Sequence, residues 1–169
     1  FLLYNPPMKI KICGITNLTD AQAAVQAGAD LLGFIFAGSP RQISPTAARD
    51  IIVRLPKGIN KVGVFVNDTT AYIQKTIQIS GINMVQLHGH EPPKQFQEIS
   101  VPAIKAFRIS TAHDLKDIER YNSVSKMILL DTFIRGKHGG TGEVFDWSIA
   151  AEVRKYTELP IILSGGLTP

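Results

Sequence analysis

The chain has 169 residues, 44% of them hydrophobic and 19% charged, with 14 glycines, 10 prolines and a single cysteine. That apolar share excludes an intrinsically disordered chain, and the lone Cys13 excludes a disulfide scaffold. The formal charge of +4 comes from 18 Lys+Arg against 14 Asp+Glu, spread without a basic run, which argues against a nucleic-acid partner and leaves a pocket for an anionic small molecule or a solvated basic surface. No apolar run approaches the roughly 20 residues that cross a bilayer, so no membrane partner is expected. With one cysteine and no visible targeting segment, the expected location is cytoplasmic. Residues 1–7 read as an N-terminal extension ahead of a single domain over 8–169.

In chain order, Lys9–Cys13 alternates polar and apolar residues as a strand does, and Leu18–Ala27 reads as a helix stopped by Gly28. Leu31–Phe36 is a second strand, and Pro45 opens a helix to about Leu55. Val62–Val66 is the third strand, Thr69–Ile79 the third helix ended by Gly81, and Met84–His88 the fourth strand. A short helix over Pro93–Ile99 and a strand over Ala103–Phe107 follow. The next helix runs from Thr111 to Tyr121, with Thr111 as N-cap and Asp114 three residues on. Met127–Leu130, a helix over Asp146–Tyr156 and Pro160–Leu163 complete the pattern, and Thr168-Pro169 reads as the start of one more helix. Strands that alternate with helices imply βαβ units and a parallel sheet. A doubly wound open sheet competes with a (β/α)8 TIM barrel. The barrel is favoured because polar or glycine residues follow nearly every strand, and a barrel gathers them at one mouth.

Several of those strand ends carry chemistry. Cys13 closes the first strand, with Lys11 on the same face roughly 7 Å away. A cation at that distance favours thiolate, although a single free cysteine is also a common small core residue. Asp131 follows the buried run Met127–Leu130; a partly buried carboxyl there could donate a proton, or could simply cap a helix or pair in a loop. Gly139-Gly140-Thr141-Gly142 and Gly165-Gly166 are two glycine-rich loops whose backbone N–H groups could grip a phosphate, and Arg135, Lys137 and His138 make the first of them basic. Arg41 has the planar fork that suits a carboxylate. Gln86 and His88 share one strand face, and Arg108 follows the fifth strand. His88, His90, His113 and His138 form no ligand pattern, so no metal site is expected.

The segments Lys11–Ile15, Gly33–Phe36 with Ser39-Pro40-Arg41, Val62–Asn67, Val85–Gly89, Leu129–Asp131, Gly139–Gly142 and Leu163–Leu167 occur in this order. Together, from about Met8 to Pro169, they resemble the phosphoribosylanthranilate isomerases, (β/α)8 enzymes of tryptophan biosynthesis. The resemblance implies an Amadori rearrangement of N-(5′-phosphoribosyl)anthranilate, with no metal or organic cofactor. It implies Asp131 as general acid and Cys13 as general base. It also implies Arg41 at the anthranilate end, with Gln86, His88 and Arg108 beside the substrate and Gly140, Thr141, Gly142, Gly165 and Gly166 at its phosphate. Such a family barrel continues through an eighth strand, so the resemblance implies a domain incomplete at its C-terminus. Another phosphosugar-binding barrel, or a truncated inactive remnant, is the alternative. A monomer and a homodimer are both compatible with the sequence.

Overall fold

The computed structural model describes residues 8–109, 112–132 and 151–165. Its elements are β1 (Lys11–Cys13), α1 (Leu18–Gln26), β2 (Leu31–Ile35), α2 (Pro45–Ile52), β3 (Asn60–Phe65), α3 (Thr70–Ser80), β4 (Met84–Leu87), α4 (Pro93–Gln97), β5 (Ala103–Ile109), a 3₁₀ helix (Ala112–Tyr121), β6 (Met127–Thr132) and β7 (Ile161–Ser164). The strands form one sheet in the order β1-β2-β3-β4-β5-β6-β7, and the β1–β2, β2–β3, β5–β6 and β6–β7 pairs are parallel. A doubly wound sheet would reverse its order at a switch point. An unbroken sequential order is that of the (β/α) barrel, here through its seventh strand.

Local chemistry sets the helix ends. Asn17 accepts from the Asp20 amide and donates its side-chain amide to the Asp20 carboxylate, both at 2.8 Å, a reciprocal cap for α1. Ser44 caps α2 through the Ala47 amide, with Pro45 in the first turn, and Thr69 caps α3 through the Tyr72 amide. α3 stops at Gly81, whose φ of 76° is left-handed.

The chain divides into two compact units, residues 1–85 and 86–169. In the first, Leu32, Phe34, Val62, Phe65 and Ile73 are fully buried, and Phe36 stacks on Phe65 with centroids 5.3 Å apart. In the second, Leu87, Ile104, Leu115, Ile118, Ile128 and Leu130 form the buried centre, and Tyr121 meets Phe96 and Phe107 edge-on.

Two expectations change. The α-helix expected up to Tyr121 is a 3₁₀ helix instead. Over its residues 115–121 the buried ones are Leu115, Ile118 and Tyr121, spaced by three, which matches a turn of three residues, and no apolar residue stands four away from any of them within the helix. Burying Leu115 and Ile118 stabilises this packing by about 1.5–3 kcal/mol each, which holds the less favourable helix. The fifth and sixth strands also run farther than their apolar cores. Arg108 and Asp131 lie inside β5 and β6 as register partners, not in the loops beyond them. Thr111, residues 146–150 and Thr168-Pro169 lie outside the described residues. Of the helix expected over 146–156, residues 151–153 are helical and 154–156 form a turn.

Candidate active site

In the first unit, Cys13 ends β1 half-buried, opposite Gly33 in the β1–β2 register. A Cβ built on Gly33 would stand 2.6 Å from the Cys13 Sγ and 3.2 Å from its Cα, so only glycine leaves the thiol in this place. The chain then turns away through Gly14 at φ 90°, and the Gly14 and Ile15 amides both donate to the Gly33 carbonyl.

Arg41 completes this half. Its Nη1 donates to the Cys13 carbonyl oxygen at 2.8 Å, and its guanidinium covers Gly14 so closely that a Cβ there would meet Nη1 at 2.5 Å. The loop carrying Arg41 is tied down by Ser39, which accepts from the Arg41 amide, and by Gln42, which donates to the Phe36 carbonyl at 2.8 Å. One guanidinium N–H is thus committed to backbone, and the remaining donors of the fork are available to an anionic group.

The second unit presents a side-chain cluster. Asp131 on β6 lies between Arg108 of β5 and Ser164 of β7 in register. Its side chain is 30% exposed, and its Oδ2 stands 3.3 Å from Nε2 of His88. Among the described residues, His88 is the ion-pair partner found for this carboxyl, and Arg108 is exposed. His88 Nδ1 lies 3.0 Å from Nε2 of Gln86, which is 2% exposed. The expected shared face of Gln86 and His88 is therefore present, directed at Asp131.

Behind this cluster lies an ion pair that sequence reasoning missed. Lys105 donates to the Glu91 carboxylate at 2.9 Å and to the Gly89 carbonyl at 2.5 Å, with both side chains essentially buried. Glu91 also accepts from the Gly89 amide on both oxygens, and Tyr121 donates its hydroxyl to the Glu91 carbonyl. Burial pulls the Lys105 amine below the usual lysine range, with Glu91 opposing that shift. Burial likewise raises the Tyr121 phenol. The signal in the sequence was a lysine inside the otherwise apolar run Ala103–Phe107, which demands a buried partner.

Gly165 leaves β7 at φ 84°, the left-handed turn that a close-approaching backbone requires. The other expected phosphate contacts, Gly140, Thr141, Gly142 and Gly166, lie outside the described residues, as do Arg135, Lys137 and His138. No cluster of His, Cys, Asp and Glu suited to a metal ion occurs among the described residues, and none of their helices is long and apolar enough to cross a membrane.

Comparison with known proteins shows the family. Residues 10–169 match the family model for N-(5'phosphoribosyl)anthranilate (PRA) isomerase. The N-(5'-phosphoribosyl)anthranilate isomerase of Geobacter metallireducens is 45% identical over 163 residues, 96% of this chain and 79% of that protein. The crystal structure of phosphoribosyl anthranilate isomerase from Thermotoga maritima superposes with a TM-score of 0.86 at 40% identity, over 95% of this chain and 78% of that one. A structure of a phosphoribosyl anthranilate isomerase in complex with reduced 1-(o-carboxyphenylamino)-1-deoxyribulose 5-phosphate gives a TM-score of 0.82 at 40% identity, covering 95% and 77%.

Proposed function

The chain belongs to the N-(5'-phosphoribosyl)anthranilate isomerase family, and from that premise we propose how its own residues carry out the reaction. The activity is the conversion of N-(5'-phosphoribosyl)anthranilate to 1-(2-carboxyphenylamino)-1-deoxyribulose 5-phosphate, a step of tryptophan biosynthesis. It is an aldose–ketose isomerisation by Amadori rearrangement.

Asp131 is the general acid. It delivers a proton to the ribose ring oxygen; the C1′–O bond breaks, and the anthranilate nitrogen supplies the electron pair that forms an iminium. Cys13 is the general base. Its thiolate removes the C2′ proton, which the adjacent iminium acidifies, and the C–H electron pair forms the enolamine double bond. The enolamine then tautomerises to the ketone. Arg41, with its free guanidinium N–H groups, takes the anthranilate carboxylate. Gly140, Thr141, Gly142, Gly165 and Gly166 take the phosphate through backbone N–H groups, and phosphate binding orients the reacting carbons. Gln86, His88 and Arg108 line the substrate's approach to Asp131. The chemistry assigned here uses no cofactor. The enzyme acts as a monomer or homodimer in the cytoplasm; the dimeric Thermotoga maritima enzyme supports the second form.

The single observation that carries this reading is a partly exposed carboxyl at the C-terminal end of β6, with an imidazole 3.3 Å away. Its Oδ2 faces the His88 ring, which leaves Oδ1 to meet the substrate. Changing Cys13→Ser or Asp131→Asn should each lower kcat by about 10²–10⁴-fold, with circular dichroism unchanged. Turnover is followed by loss of substrate fluorescence, and full activity in either variant would overturn the assigned role.

A further inference from the structure

The carboxyl of Asp131 has two oxygens, and general-acid catalysis needs the proton on the one that faces substrate. We propose that Gln86 and His88 form a positioning pair that holds Oδ2 of Asp131, so that Oδ1 is left as the oxygen that carries and delivers the proton. The inference rests on the reading of Asp131 as the acid.

The geometry is a line of three side chains. Gln86 Nε2 lies 3.0 Å from His88 Nδ1, and His88 Nε2 lies 3.3 Å from Asp131 Oδ2. An amide nitrogen only donates, so Nδ1 is the acceptor and the neutral ring bears its proton on Nε2, toward the carboxyl. Turning the Gln86 amide over would place its oxygen on an Nδ1 proton and leave the Nε2 lone pair against the carboxylate. The buried Oε1 of Gln86 finds no partner as it stands; turned over, the amide would strand two hydrogens in its place. The carboxyl therefore selects the tautomer, and the buried amide locks it.

The ring is placed by the backbone around it. Gly89, the next residue, has its amide held by both Glu91 oxygens and its carbonyl held by Lys105. At 3.3 Å the His88–Asp131 approach lacks hydrogen-bond angles, and Nε2 is buried without another partner. A catalytic hydrogen bond that is long in the free enzyme and tightens with substrate has this geometry. As Asp131 gives up its proton, negative charge develops on the carboxylate, and the waiting Nε2–H stabilises it.

The test is a double-mutant cycle on the purified enzyme. His88→Ala should lower kcat by about 10–100-fold while KM changes by less than about threefold. His88→Gln, which returns an N–H donor, should recover part of that loss. In an Asp131→Asn background, His88→Ala should cost less than about twofold more, because its partner is already gone. Gln86→Leu, close in volume, should repeat the pattern at a smaller scale and serves if His88→Ala does not fold. A His88→Ala enzyme that keeps kcat and raises KM would make His88 a substrate contact and overturn the proposal. So would equal losses in the two backgrounds. Full turnover by Asp131→Asn alone would instead overturn the assignment of the acid.

Discussion

The two units place their proposed proton-transfer groups by opposite means. In the first, Cys13 is positioned by what is missing: Gly33 has no side chain to displace the thiol, and Gly14 has none to displace Arg41. In the second, Asp131 is positioned by what is present, a sequence of polar partners running from Gln86 through His88, with Glu91 and Lys105 fixing the loop behind. A thiol makes weak hydrogen bonds, so shape has to aim it. A carboxyl is an effective acceptor, so hydrogen bonds can aim it. Steric placement should fail by displacement of one atom, and polar placement by loss of a whole network.

The sharpest break in the second unit is Glu91→Gln. It leaves Lys105 charged and buried with its countercharge gone, and should destabilise the fold by about 3 kcal/mol, read from the urea midpoint. A loss under about 1 kcal/mol would mean that the Gly89 and Tyr121 contacts carry the loop by themselves. In the first unit, Gly33→Ala should leave the fold standing and rotate the thiol out of place. The expected result is a fall in kcat of about 10²-fold with a small change in stability. Gly14→Ala should do the reverse, costing about 1–2 kcal/mol from its left-handed backbone and displacing the guanidinium of Arg41, with the rise in KM for substrate as the second readout.

The smallest effect is a pH dependence. Lys105 has its folded pKa lowered, so in the window between that lowered value and the ordinary 10.5 the unfolded chain holds more protons than the folded one. Stability from this group therefore rises as pH climbs through that window. Replacing Lys105 with Met should flatten this part of the stability curve in urea titrations carried up toward pH 10.5. Tyr121, whose folded pKa is raised, opposes the rise only above its ordinary 10.0.

Much of this was legible in the sequence because it depends on local period. The period of two put Gln86 with His88 on one face and set Cys13 and Asp131 at strand ends. The 3₁₀ helix was legible too, in the spacing of Leu115, Ile118 and Tyr121 by three, but a capping pattern at Thr111 argued for an α-helix there. What could not be read depends on register between distant strands. That Gly33 faces the Cys13 thiol follows from a β1–β2 alignment across 20 residues. That Lys105 reaches Glu91 follows from a loop folding back on β5, and the pairing of Arg108 with Asp131 required two strands to run past their apolar cores.

The missing side chain at position 33 has a consequence for how sequences of this kind can change. Alanine is the smallest step away from glycine, and here even that step collides with sulfur. A lineage that leaves glycine at 33 must turn the Cys13 thiol out of its present place or change position 13 with it. The two sites are then coupled in descent although they are 20 residues apart, and a relative that keeps its cysteine while carrying alanine there aims its thiol differently.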